Sequence, residues 1–211
     1  MSDFNKLRCS DLSNTGFDVD TAAEETWQAL LSAGCFIEGN FVFASGINAT
    51  LKVDAELLYS HPRHLETVLG HFAAFPCIQD AEVLMYVPDG MRQFMTTLGN
   101  ELGKPVAHTK RRPGSSSKYD FVFTTKADEN LAESAELIVI GEDIVSTLGS
   151  VAATRSLLKP TQTVHSLAML QRGVVNPDYQ KGLVDHYLVK RHIPTDKDEF
   201  NRQISPDTNA G

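Results

Sequence analysis

The stretch from Leu137 to Ser150, LIVIGEDIVSTLGS, constrains what this chain can fold into more than any other. Leu137, Ile138, Val139 and Ile140 form a β-rich apolar run with no polar alternation, the pattern of a strand buried on both faces of a parallel sheet. Glu142 and Asp143 follow just past the end of that run, where open α/β sheets bind their ligands. Ser146, Thr147, Leu148, Gly149 and Ser150 then turn into a helical pattern carried by Val151, Thr154 and Leu158. Free backbone amides and a positive helix end thus converge on one spot, an arrangement that holds a phosphate. Carboxylates for hydroxyls, followed at once by amides for a phosphate, suit a sugar phosphate. The Gly-Lys-Ser/Thr of a P-loop, which would indicate a nucleoside triphosphate, is absent from the sequence. The plain alternative is a strand, turn and helix with acids in a loop.

The rest of the chain fits one α/β domain. At 211 residues it can bury a single sizeable core. The expected layout is an irregular N-terminus over 1–18, flap or hood elements over 19–60, a core over 61–193 and a flexible tail over 194–211. The formal charge is −8 and the basic residues cluster only at Lys110 to Arg112, which argues against a nucleic-acid coat. Three cysteines, Cys9, Cys35 and Cys77, form no C-x-x-C pair, so neither a disulfide framework nor a zinc site is indicated. No stretch approaches the roughly 18 apolar residues of a membrane span, and the first residues lack an apolar signal core. A soluble, cytoplasmic protein is expected. The seven histidines show no metal-ligand spacing, and no Gly-x-Ser-x-Gly or Cys-His arrangement points to nucleophilic catalysis.

Along the chain, Thr21-Ala22-Ala23-Glu24 reads as a capping box opening a helix that turns Ala23, Trp27, Leu30 and Leu31 to one face and stops at Gly34. Residues 35–54 read as strands around a Ser45-Gly46 turn. Ser60 is expected to cap a helix with Pro62 in its first turn and Leu65, Val68, Leu69 and Phe72 as its apolar face, closed by Pro76. Val83 to Val87 is a second buried-strand candidate. Pro88-Asp89-Gly90 follows it, then a helix of Met91, Phe94, Met95, Leu98 and Leu102 ended by Gly103, which together make a βα unit. Val106 to Thr109 is extended and delivers Lys110-Arg111-Arg112 into a mobile Gly/Ser-rich loop reaching Lys118. Phe121 to Thr125 returns as a hairpin arm, and residues 126–136 are a polar, acidic connection. Val164 to Leu170 is a further strand ending at Gln171-Arg172-Gly173, and His186 to Val189 a last one. The tail from Pro194 is polar and expected to be disordered.

The central stretch resembles the PRPP-binding motif of type I phosphoribosyltransferases, in which a hydrophobic strand runs into Glu/Asp-Asp, two apolar residues and a Thr-Thr-Gly-Gly-Ser-like loop. Glu142-Asp143-Ile144-Val145-Ser146-Thr147-Leu148-Gly149-Ser150 matches it position for position. Leu148 stands where a small residue is usual and would crowd the 5′-phosphate. Gly39, Phe41, Ser45, Gly46 and Asp54 are similar to the N-terminal flap of orotate phosphoribosyltransferases. Pro88-Asp89-Gly90 lies where that family holds pyrophosphate. Lys110 and Arg111 occupy the first two basic positions of its mobile loop, and Arg172 its base-facing strand end.

The resemblance implies a doubly wound, mainly parallel sheet with helices on both faces and a small N-terminal flap. It implies displacement of pyrophosphate from PRPP by a nucleobase, with Mg2+ carried on PRPP oxygens rather than by direct protein ligands, in a homodimer. Glu142 and Asp143 would hold the ribose hydroxyls, and Lys110 and Arg111 would meet the departing pyrophosphate. Asp89, Gly90 and residues Ser146, Thr147, Leu148, Gly149 and Ser150 would bind PRPP. Ser146, Arg172 and Lys52 would face the base. Purine enzymes of the family generally place an Asp at position 146. Ser146 is a poor general base near neutral pH, which favours orotate, an acceptor that is already anionic. Against that stand Ala44, where some relatives have a lysine, and Lys52 and Val53, where they have aromatic residues. A non-catalytic PRPP or nucleotide sensor, a transferase for another base, and a plain interaction module of the same fold are the other classes.

Overall fold

A computed structural model of the protein describes residues 17–42, 48–146, 148–172 and 184–204. Helix α1 (Val19–Ser32) leads into an antiparallel hairpin of β1 (Phe36–Val42) and β2 (Asn48–Val53). A 3₁₀ turn at Ala55–Ser60, α2 (Pro62–Ala73) and α3 (Pro76–Asp80) bring the chain to β3 (Val83–Tyr86). After α4 (Arg92–Leu102), β4 (Thr109–Arg111) and β5 (Phe121–Phe123) form a second antiparallel hairpin. Then come α5 (Lys126–Ser134), β6 (Leu137–Val145), α6 (Gly149–Arg155), β7 (Thr163–Arg172), β8 (His186–Arg191) and α7 (Lys197–Ile204).

Four parallel strands in the order β3-β6-β7-β8 make the central sheet. Side chains alternate across a strand, so both faces need cover when every residue is apolar. Leu84, Tyr86, Val139, Leu167, Met169 and Leu188 pack on one face with Leu30, Phe72, Phe94 and Met95 from α1, α2 and α4. Val83, Met85, Ile138, Ile140, Ala168 and Tyr187 pack on the other with Ala132 of α5, Val151 of α6 and Phe121 of the second hairpin. The sheet is therefore doubly wound, as expected. A third cluster of Trp27, Leu51, Val53, Leu170, Val189 and Phe200 seats the first hairpin against the sheet end.

Several local expectations change. The cap of α1 is Asp18, whose Oδ1 accepts from the backbone N–H of Asp20 at 3.1 Å and Thr21 at 3.2 Å. Thr21 donates its hydroxyl to Asp18 Oδ2 at 2.6 Å, so it serves the cap from inside the helix. The buried face is Ala22, Thr26, Trp27, Ala29 and Leu30, which keeps Trp27 and Leu30 of the expected stripe and leaves Ala23 and Leu31 half-buried. Ser60 ends the 3₁₀ turn, and α2 starts at Pro62 behind His61, which makes no side-chain cap. Pro76 opens α3 instead of only closing α2. Leu158 lies past the end of α6. The acidic connection at 126–136 contains α5, opened by a reciprocal capping box between Thr125 and Asp128. The expected Ser45-Gly46 turn, Gly173, most of the irregular N-terminus and the last seven tail residues lie outside the described residues.

The beginning of the tail is ordered, because α7 is anchored by one aromatic. Phe200 is 2% exposed and stacks on Phe36 at 4.7 Å, with its edge toward Trp27 at 6.1 Å. Deleting a buried Phe ring costs about 3–5 kcal/mol, from lost transfer energy plus the cavity left behind. Phe200→Ala is therefore expected to lower the urea-unfolding free energy by about 3 kcal/mol, whereas a loss under about 0.5 kcal/mol would mean that the helix is not docked.

Candidate functional site

The site forms where three chain crossings meet at the C-terminal end of the sheet. Pairing of Tyr86 with Gly141, extended by the Val87 N–H donating to the Gly141 carbonyl at 2.9 Å, sets the loop after β3 beside the acids of β6. Pro88, Asp89 and Gly90 form that loop, with a cis peptide between Pro88 and Asp89. A Cβ on Gly90 would lie 2.1 Å from Asp143 Oδ2, so only glycine lets the loop rest on this carboxylate. Asp143 Oδ1 accepts the Ile144 N–H at 2.7 Å. Its neighbour Glu142 points to the opposite face, 7% exposed, and its Oε2 is buried with no hydrogen-bond partner among the described residues. An orphaned buried carboxylate oxygen is costly and points to a ligand group that would satisfy it.

The basic hairpin enters from the side. Thr109 Oγ1 donates to the Tyr86 carbonyl at 2.8 Å, which ties the start of β4 to the end of β3. Arg111 Nε then stands 3.6 Å from Asp89 Oδ2, with its guanidinium 5.9 Å from the Phe121 ring centroid. Lys110 is half-buried on the same strand. In the turn after β6, Ser146 is exposed, Ser150 is half-buried and Thr147 lies outside the described residues. Leu148 is 4% exposed and belongs to the core cluster that holds Val145, Val151 and Ile140. Its side chain thus points inward. Gly149 is covered by Tyr119, whose ring would meet a Cβ there at 2.5 Å, so the loop after β4 reaches the start of α6.

The last wall comes from the first hairpin and the 3₁₀ turn. Lys52 Nζ pairs with Asp54 Oδ2 at 2.8 Å, and Asp54 Oδ1 accepts the Glu56 N–H at 3.3 Å. Glu56, Tyr59, Asp89, Gly90, Arg92 and Gln93 line a groove of about 420 Å³ alongside. Arg172, at the end of β7, donates from Nη2 to the carbonyls of Leu51 and Pro194 at 3.1 Å each. It joins the hairpin to the chain after β8.

No family model and no curated protein sequence matches this chain. Solved structures do. Orotate phosphoribosyltransferase from Aeropyrum pernix superposes with a TM-score of 0.62 at 15% identity, over 84% of this chain and 97% of that one. Adenine phosphoribosyltransferase from Thermoanaerobacter pseudethanolicus gives 0.60 at 14% identity, over 80% and 99%. UMP synthase from Leishmania donovani gives 0.59 at 18% identity over 93% of this chain, which spans 40% of that protein. The chain has the type I phosphoribosyltransferase fold.

Within that fold, Asp143 lies against Gly90 and Arg111 beside Asp89, with Lys110 next to Arg111 on β4. Lys52 and Arg172 border the same region, but each is already engaged by protein oxygens. Glu56, Tyr59 and Tyr119 were not singled out from sequence, although the even spacing Lys52, Asp54, Glu56 running out of a strand was a usable signal. Among the described residues, no three His, Cys, Asp or Glu side chains form a cluster able to hold a metal by themselves.

Burial and then the Asp143 charge push the Glu142 carboxyl well above the ordinary carboxylate range. Burial also raises Asp143, helped by the charges of Glu56 and Asp54 and opposed by the Ile144 N–H. Burial pushes the Tyr59 phenol up to about 12. A raised carboxyl favours the protonated form in the folded state. Its stabilising contribution is full below the unfolded value of about 4.3 and is lost as pH rises through the folded value. Glu142→Gln removes this loss and should flatten the fall of stability above about pH 4.3. It should also raise the melting temperature at pH 7 by about 2–4 °C for each kcal/mol relieved. Thermal melts across pH 4–8 test this, and an unchanged profile would mean that the carboxylate is solvated.

Proposed function

We propose that this chain is a phosphoribosyltransferase that moves the 5-phosphoribosyl group of PRPP to a nucleobase and releases pyrophosphate. The observation that carries the reading is the orphaned, buried Glu142 carboxylate beside Asp143, set against a glycine loop at the end of a parallel sheet. Such an acid pair accepts hydrogen bonds from vicinal ribose hydroxyls, as carboxylates do. The reaction develops positive charge at the ribose carbon and negative charge on the leaving group, so the protein's task is positioning and electrostatics. Glu142 and Asp143 stabilise the first. Lys110 and Arg111 stabilise the second, Arg111 exchanging its exposed contact with Asp89 for pyrophosphate. Asp89, Gly90 and residues 146–150 are the proposed PRPP contacts.

Mg2+ is proposed to arrive on PRPP oxygens. There the phosphate and hydroxyl oxygens of the ligand would supply the hard oxygen donors that this ion takes. When bound, the ion neutralises charge on the leaving pyrophosphate. A homodimer, with the basic loop serving the neighbouring site, is part of the same proposal. Orotate, and with it pyrimidine nucleotide synthesis in the cytoplasm, is the choice that the resemblance favours. Its carboxylate would need a cation, yet Lys52 is paired with Asp54 and Arg172 holds two carbonyls.

Because a ligand bound only by the folded state stabilises it by mass action, PRPP with Mg2+ at a hundredfold excess over its Kd should raise the melting temperature by about 5–10 °C. Asp143→Asn should fold normally and lose about 10-fold or more in pyrophosphate release. A folded variant of wild-type activity would remove Asp143 from the mechanism. The Lys110→Ala, Arg111→Ala double variant should lose kcat more than PRPP affinity, because the charge these residues meet grows as the bond to ribose breaks. Equal losses in both would assign the pair to ground-state binding.

A further inference from the structure

Resting on the proposed phosphoribosyl transfer, we infer that Arg92 is a positioning residue for the leaving group, taking over the Asp89 carboxylate when Arg111 turns to pyrophosphate. Arg111 Nε stands 3.6 Å from Asp89 Oδ2, and both side chains are exposed, so the pair is weak and a polyanion displaces the carboxylate from it. Asp89 is then left as a bare carboxylate in the loop that borders pyrophosphate, with the same sign as the charge that grows there. Like charges so placed oppose the step.

The loop cannot draw back to relieve this. The Val87 N–H donates to the Gly141 carbonyl at 2.9 Å, and Gly90 rests on Asp143, where a Cβ would come within 2.1 Å of Oδ2. The Arg92 N–H donates to the Asp89 carbonyl at 3.1 Å and closes the turn into α4. Asp89 therefore needs a second cation rather than a new position. Arg92 is exposed, has no ion-pair partner among the described residues, and lines the same groove of about 420 Å³ as Asp89 and Gly90. Burial raises the pKa of the Tyr86 phenol at the end of β3, Arg92 lowers it and Asp89 adds to the rise, so both charges lie within reach of one group. Arg112 is not available for the same task, because its Nε donates to both Asp120 oxygens at 3.1 Å. Nor does α4 itself gain from Arg92, since a cation in the first turn of a helix opposes the helix dipole. Glu56 reaches the groove from the 3₁₀ turn and is the competing partner that the test separates.

The test uses the full chain with Mg2+, measuring inorganic pyrophosphate binding by calorimetry and kcat and KM for PRPP with whichever of orotate, uracil, adenine and hypoxanthine is turned over. Melting temperatures check that each variant is folded. Arg92→Gln should weaken pyrophosphate by about 10-fold and lower kcat more than it raises KM, because the need for the second cation grows with charge on the leaving group. Arg92→Lys should recover most of the loss. Added to Asp89→Asn, Arg92→Gln should cost less than about 2-fold, since the charge that it answers is gone. An equal or larger loss in the Asp89→Asn background would assign Arg92 to direct contact with pyrophosphate and overturns the inference. Recovery by Glu56→Gln as large as that by Asp89→Asn overturns it too, as does a folded Arg92→Gln chain that binds pyrophosphate like the wild type. If no base is turned over, the pyrophosphate series alone decides. A wild-type chain that binds neither PRPP nor pyrophosphate overturns the phosphoribosyl-transfer reading and this inference with it.

Discussion

The parallel pairing of β3 with β6 is the constraint on which the rest of the site depends. Its register ends with Tyr86 beside Gly141, so the two chains leave the sheet together and the β3 loop has nowhere to go but over the next residues of β6. That loop can lie flat only because position 90 has no side chain, and the space so freed is taken by Asp143. The hydrophobic faces above and below hold the register, since a slip of one residue would turn Val139 and Ile140 to the wrong layers and bring Glu142 into the helix-packed core. Apolar burial in the sheet thus sets the position of a carboxylate pair that it would never tolerate one register away.

Holding those acids at the sheet end costs stability that the core must supply. Two carboxylates, one with an unpartnered buried oxygen, sit with Asp54 and Glu56 adding charge of the same sign. Nothing in folding alone requires this arrangement. Local violations of polar satisfaction that a fold maintains are the expected mark of a functional surface. The unlike charges are kept on other elements: Arg111 on a hairpin tied by Thr109, Lys52 on a separate strand, Arg172 in the joint between hairpin and sheet.

Much of this was legible in the sequence, for a physical reason. Strands buried on both faces lose polar alternation, so Val83 to Val87 and Leu137 to Ile140 announced themselves, and acids directly after such a run have one address in an open sheet. The misses share a cause as well. Helix α5 is short, acidic and mostly exposed, and α7 is polar apart from Phe200, so neither shows an apolar stripe. Whether Leu148 fills a phosphate cradle or the core depends on the turn's backbone, which places it in the core cluster that holds Val145 and Val151. Lys52 looked available to an anion until its same-face neighbour Asp54 was seen to hold it. A side chain's type can be read from sequence, but its partner is decided by tertiary placement.

The division of charge between sheet and hairpin fits the reaction proposed. Bond cleavage at the ribose carbon separates charge along one line, positive at the sugar and negative at the leaving group. Fixed acids at the end of β6 meet the positive end without reorganising, because sheet and core hold them in place. The cations meeting the negative end lie on a two-stranded hairpin, whose exposed Arg111–Asp89 contact at 3.6 Å is a weak pairing that a polyanion can replace. A rigid anionic pole and a replaceable cationic one favour the separated charges of the transition state over the neutral encounter.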